Sequence, residues 1–258
     1  MGTLGWEECG KNRKGPEKSL SGGDVESQTL ADNLLRKRAL PGKKARFGRV
    51  PYLLMGFNKE EDGRGEEEMV KDTFRGMIFS SSFGRGDRIV IGNWEESPLG
   101  KFTNVMWADP SGKRTLLSPS EKHSEYVSSL YTFEEIRITP IDVKISGKSI
   151  SVQADDLSVT MHWGYTIPIP IPRPLWFISS VENFFARILF GTKTHGMANN
   201  GNEEWYSVRG ISWLKSASAK VSGKDLGIMS RRLDSACFGF SEPPIRPAAV
   251  TLSSIIQK

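Results

Sequence analysis

Histidine and cysteine are scarce in this chain, and between them they supply most metal sites and nucleophilic centres. Three histidines, His123, His162 and His195, and two cysteines, Cys9 and Cys237, are spread over 258 residues. No CxxC, HExxH or paired Cys/His spacing joins them, so no metal site is expected. A structural disulfide between two cysteines at opposite ends of the chain is not expected. There is no apolar N-terminal run of the kind that directs secretion, and no apolar run of about 18 residues that could span a bilayer as a helix. No Asn-x-Ser/Thr sequon occurs either. These absences lead to the expectation of a soluble protein of a reducing compartment, the cytoplasm.

Catalytic signatures are missing as well. No GxSxG elbow or Ser/His/Asp spacing is present. The glycines of Ser82–Asp87, SFGRGD, fit neither the dinucleotide nor the phosphate-loop pattern and make a turn instead. No cofactor is therefore expected. Glu95 beside Glu96, and Asp155 beside Asp156, are adjacent pairs, and neighbours on a strand point to opposite faces. Turn roles suit them better than proton sharing.

The formal charge of +5 is unevenly placed. Residues 1–49 hold 11 Lys and Arg against 6 Asp and Glu; 50–72 hold 3 against 7; 73–258 hold 21 against 17. The basic excess from residue 73 onward is small and scattered, whereas a nucleic-acid footprint would be a clustered stripe. Nucleic-acid binding is not expected.

Apolar residues make up only 38% of the chain, and the shortfall sits at the start. Residues 1–70 are rich in Gly, Lys, Arg, Glu and Ser. They bury too little apolar area to offset the entropy of ordering, so they read as a low-complexity, disordered head. Residues 71–258 read as a single β-rich domain. Strands are expected at Phe74–Ser81, Arg88–Gly92, Phe102–Ala108 and Arg114–Leu117, with turns at Pro98-Leu99-Gly100 and Asp109-Pro110-Ser111-Gly112. A helix over 119–130 follows, with Ser118, Pro119 and Glu121 reading as a capping box.

The clearest alternation comes next. Ile136, Ile138 and Ile141, then Ile150, Val152 and Ala154, then Leu157, Val159, Met161 and Trp163, alternate with polar residues as a three-strand antiparallel meander. Pro168, Pro170, Pro172 and Pro174 end it, and a helix over 175–190 carries a broad apolar stripe. A long strand over Trp205–Val221 with a bulge at Gly210, short strands at Leu226–Met229 and Ala236–Phe240, and a last strand through Val250, Leu252 and Ile256 complete the chain. About ten strands, two helices and no βαβ rhythm imply a mainly antiparallel sheet. The expected architecture is a closed or partly closed β-barrel with two helices on its rim; a two-sheet β-sandwich is the alternative.

The runs GDRIVIGNWEESPLGKFTNVMWADPSGKRTLLSP, SSLYTFEE, EEWYSVRGISWLKSASAKVSGKDLG and FGFSEPPIRP resemble a set of uncharacterised bacterial proteins of about 200 residues. That resemblance covers roughly residues 73–258 and implies no activity. At the level of fold alone the strand pattern is similar to lipocalin-like barrels.

The aromatic load and the absence of catalytic motifs point to a barrel that holds a small, largely apolar ligand. The candidate ligand-binding residues are His162, Trp163, Phe184, Phe185, His195, Trp205 and Arg209, with helix 175–190 as a lid. Two alternatives accompany this reading. One is an enzyme using His162 or His195 for general acid–base work on a small apolar substrate. The other is a homo-oligomer formed through helix 175–190.

Overall fold

Strand β1 (Lys71–Phe83) is the spine of the molecule, because β2 (Arg88–Glu96) pairs on one side of it and the last strand, β13 (Ala248–Gln257), on the other. In a computed structural model, residues 71–169, 174–183, 186, 190–233 and 236–258 are described. All of them belong to one compact unit. The expected low-complexity head lies outside the described residues, as do Phe184 and Phe185.

Beyond β2 come β3 (Phe102–Ala108), β4 (Arg114–Ser118) and β5 (Glu135–Ile138). Beyond β13 come β10 (Glu203–Val221), β8 (Leu157–Pro168), β7 (Ser149–Ala154) and β6 (Ile141–Ser146). The order β5-β4-β3-β2-β1-β13-β10-β8-β7-β6 forms one continuous sheet, with short strands β9 (His195–Met197), β11 (Lys224–Asp225) and β12 (Met229–Ser230) attached. The protein is therefore mostly antiparallel β, and the two-sheet sandwich alternative does not hold.

The sheet curls. Its end strands, β5 and β6, follow one another in the chain and are joined only by Thr139 and Pro140. Three Cα steps reach no more than about 11 Å, so the two ends of the strand order are held near each other. Arg137 on β5 reinforces this: it bonds Glu135 at 2.8 Å, reaches Asp155 and Asp156 in the β7–β8 turn at 3.4 Å, and lies over the Trp107 ring. The result is a curled half-barrel.

Turn chemistry sets the early registers as expected. Asp109 accepts hydrogen bonds from the Ser111 and Lys113 amides, and Gly112 takes φ +87°, a conformation that costs glycine little. The long strand β10 shifts register between Val208 and Gly210, which places the expected bulge.

Several local readings need correction; the strand expected at Leu226–Met229 is instead two short pairings, Lys224–Asp225 and Met229–Ser230, with residues 226–228 between them. Helix α1 (Glu121–Leu130) begins later than the capping box suggested, with Ser120 at its cap. Ser118 is committed to β4 instead, fully buried and paired with Ile138 on β5. Ile136 and Ile138 are not part of the antiparallel meander; β5 runs parallel to β4, with α1 as the crossover. Residues 236–240 form no strand and pass over the sheet as a cover.

The sheet has two cores. On the inner face, Phe79, Ile89, Ile91, Val105 and Leu117 of β1–β4 meet Ile150, Val152, Leu157, Val159, Met161, Trp163 and Leu214 of β7, β8 and β10. The rings of Phe79 and Trp163 lie 5.2 Å apart at the centre of this packing. The intervening residues of β1, β2, β3, β13 and β10 point the other way. That second face is covered by α1 and by two further segments, the described residues 174–183, 186 and 190–195, and residues 236–247.

Candidate ligand-binding site

A cavity of about 180 Å³ lies between the second face of the sheet and these two covers. Its floor follows from the period of two along each strand. Ile78, Val90 and Met106 come from β1, β2 and β3; Val208 and Ile211 from β10; Val250 and Leu252 from β13. The covers supply Ala186, Phe190, Phe238, Pro243 and Pro244, Ile169 comes from just after β8, and Tyr131 and Tyr206 also line the cavity. The wall is overwhelmingly apolar, as expected of a site for a small hydrophobic molecule.

The covers are pinned by polar contacts at their edges. Arg88, on β2, is almost fully buried and bonds Glu242 at 2.8 Å. Its second nitrogen donates to the Ala236 carbonyl at 2.6 Å, and its guanidinium lies 4.6 Å from the centre of the Phe238 ring. Glu242 also accepts the Phe238 amide at 2.6 Å. The two covers are tied to each other by Thr192, which donates to the Glu242 carbonyl, and by Ser241, which donates to the Lys193 carbonyl, both at 2.6 Å. Close approach needs glycine twice. A Cβ on Gly239 would sit 2.7 Å from the Tyr131 ring, and one on Gly196 would sit 2.3 Å from Phe240.

A smaller cavity of about 40 Å³ lies under α1 and shares Ile78, Val90, Met106 and Tyr131 with the larger one. The smaller cavity is also lined by a buried acid. Glu204 is 1% exposed. It accepts hydrogen bonds from Ser254 at 2.6 Å and Tyr131 at 3.1 Å, and the Tyr131 and Tyr206 hydroxyls are 2.6 Å apart. Burial pushes the Glu204 carboxyl above its ordinary range, and the bonds from Ser254, Tyr206 and Tyr131 offset that only in part. Burial, with the Glu204 charge behind it, also holds both phenols well above the usual tyrosine range.

The residues singled out from the sequence are dispersed. Trp163 packs in the inner core against Phe79. His162, its neighbour, points outward and is exposed, as is Arg209 at the β10 bulge. His195 and Trp205 do come together: their rings stack at 5.0 Å across the β9–β10 pair, and His195 Nε2 is 3.8 Å from Glu203. None of these five lines the 180 Å³ cavity. The third histidine, His123, is half-buried, with Nδ1 bonded to Ser120 at 2.7 Å and its ring 4.4 Å from that of Phe102.

Tyr131, Glu204 and Tyr206 went unnoticed. A signal was present for two of them: Glu204, Tyr206 and Val208 share one face of β10, and an acid on an apolar face is a departure worth following. Tyr131 follows the end of α1, where no periodicity marks it.

No known protein family matches the chain, and no curated protein does. Among solved structures, it is similar to an acetoacetate decarboxylase from Legionella pneumophila subsp. pneumophila str. Philadelphia 1. There the identity is 10%, the TM-score 0.34, and 73% of this chain and 83% of that chain are covered. A second acetoacetate decarboxylase structure gives 11% identity and a TM-score of 0.34, covering 72% and 84%. Neither is a lipocalin. Likeness at this level transfers no chemistry. Among the described residues no three metal-ligating side chains cluster, and no helix is long and apolar enough to cross a membrane.

Proposed function

We propose that this protein binds a small, largely apolar molecule in the cavity between the second face of its sheet and the covers formed by the described residues of 174–195 and by 236–247. The observation that carries the reading is the contrast of contents. The inner face is filled by interlocking side chains, whereas the second face keeps an apolar space of about 180 Å³. A space that size, walled by aliphatic and aromatic groups, is a standing loss of packing that a ligand would recover. The expected lid role of helix 175–190 carries over in modified form. Its described part is a single turn, Leu175–Phe177, continuing as a wide π-turn over Ile178–Glu182.

Native mass spectrometry of the full chain purified from its own host tests this. A stoichiometric small-molecule adduct is expected, and Val208→Trp, which fills the cavity from β10, should abolish it. An adduct that survives Val208→Trp, or no affinity for any small apolar probe, sinks the proposal.

A second reading is an enzyme in which Glu204, rather than a histidine, moves a proton at the wall of the smaller cavity. The raised carboxyl and its two phenols favour it. Assembly through residues 175–190 is a separate proposal, supported by Trp176, which is 66% exposed. Light scattering on the eluted protein decides that one.

A further inference from the structure

Strand β7 pairs with β8 only as far as His162, so among the described residues no strand lies outside the last part of β8. A band of exposed apolar side chains begins there. Ile167 stands opposite Ile211, which lines the larger cavity, yet Ile167 is 50% exposed. Tyr165, two residues earlier, is 76% exposed. A register shift between Ser212 and Leu214 sets Trp213 level with Gly164 and Tyr165. The Trp213 ring lies 6.0 Å from that of Phe190 in the cavity wall. The Phe190 carbonyl in turn accepts the amide of Ile245, which is 40% exposed. Single apolar residues on a surface are ordinary, but a run of them beside a cavity marks a contact surface.

Cations ring this band. Lys148, in the β6–β7 turn, holds Nζ 5.9 Å from the centre of the Tyr165 ring, and the Arg246 guanidinium lies 4.9 Å from the centre of the Trp213 ring. Lys215 passes beside Gly164, where a Cβ would sit 3.3 Å from its side chain. The Ile169 amide donates to the Arg209 carbonyl at 2.8 Å, which sets Arg209 next to the cavity wall. All four cations are exposed, and among the described residues none of them forms an ion pair. Residues 157–202 contain one acid, Glu182, and it lines the cavity instead. Rings with lysine and arginine stems beside them suit the boundary between hydrocarbon and water. The ring enters, and the charge stays with the headgroups.

We propose that the rim from Tyr165 to Ile245, with its four cations, docks on an anionic lipid surface. The charge decides the occupant. A second copy of the chain, related by a two-fold axis, would bring the same cations against one another. Anionic headgroups neutralise them. The docking goes beyond the ligand-binding reading and does not depend on it. It sets Phe190 and Ile169 at the lipid boundary, where small apolar molecules dissolve.

Flotation of the full chain with vesicles of phosphatidylcholine, with and without phosphatidylglycerol, tests this. Binding is expected only with phosphatidylglycerol, and it should weaken at high salt. A cation at such a surface is worth about fivefold, so Lys148→Gln, Lys215→Gln and Arg246→Gln together should lower the partition coefficient about a hundredfold. Tyr165→Ser with Ile167→Ser, which leaves every charge in place, should lower it about tenfold. Residues 1–49 carry a basic excess of their own that neither variant touches, so binding that survives both variants is not the rim's and overturns the proposal. Loss in the charge variant alone overturns it too, because the band then does not enter the bilayer. So does equal binding to the two vesicles, or binding to neither. Light scattering without vesicles adds one more outcome: a dimer that either variant returns to monomer gives the rim to a second copy and overturns the proposal. Near-UV circular dichroism checks both variants, and where one misfolds the other decides. None of these results touches the apolar cavity, which the adduct experiment tests separately.

Discussion

The two faces of strands β1, β2 and β13 are built from the same kinds of residue and end in different states. Ala249 and Val250 are neighbours on β13. Ala249 points into a core where β1–β4 close on β7 and β8, and its surroundings are full. Val250 points to the second face and looks onto a cavity. The inner face is packed by regular strands against regular strands, whose pleats interdigitate. The second face is packed by short helical turns and an irregular segment, held at their edges by Arg88, Thr192 and Ser241 and by a few aromatic contacts. Regular elements fill space, whereas pinned covers can leave it open.

The largest test of this contrast is to unpin a cover. Arg88→Met removes the closer cation of a buried ion pair and leaves Glu242 with only the longer contact to Arg232 and the Phe238 amide, which should cost about 2–4 kcal/mol in urea denaturation. Affinity for an apolar probe should fall with it. A loss under about 1 kcal/mol would mean the covers hold by apolar contact alone. A sharper comparison uses the two neighbours on β13. Ala249→Leu should cost about 1–3 kcal/mol by overpacking, while Val250→Leu, which grows into the cavity, should stay within about 0.5 kcal/mol of the wild type. Equal costs would mean that both faces are full.

The smallest effect is a slope. Burial holds the Glu204 carboxyl above its ordinary value of 4.5, so between that value and its raised one the folded chain keeps a proton that the unfolded chain has lost. Stability should therefore fall as the pH rises through that window, and Glu204→Gln should flatten the fall in a melting series from pH 5 to 9. Asp72, Glu95, Glu134 and Glu135 act in the opposite sense. Burial works against Asp72, but its bonds from Lys258 and Tyr126 prevail; Lys101 and Arg114 lower Glu95 and Glu134, and Arg137 and Lys113 hold Glu135 at about 2. Their contribution is lost as the pH falls below the ordinary values, 4.5 for the glutamates and 3.8 for Asp72. A wild type no steeper than the Gln variant would show that Glu204 ionises freely.

The inner face was legible in the sequence and the second was not. Alternation at Ile150, Val152, Leu157, Val159, Met161 and Trp163 marks a half-buried wall directly, because the partner face is solvent. Strands β2 and β3 are buried on both faces, so Arg88–Asn93 shows little alternation to read. Ser118 misled because a good cap residue was already needed by a ladder. The site was hidden for a related reason: its floor is contributed one or two residues at a time by five strands spread along the chain, and its second cover, 236–247, carries no periodicity. Trp163 and His162, chosen for their place in the clearest meander, fell in the filled core and on the outer surface.

The joint at Thr139 and Pro140 has one more consequence. An open sheet of this length would end in two bare rows of amides and carbonyls, each able to capture a strand from another molecule. Bringing the chain straight from one end of the strand order to the other sets those rows beside each other, with Arg137 and its acidic partners at the border. Two residues thereby limit polymerisation, and a glycine-rich insertion between them would turn a self-contained particle into a template for its own aggregation.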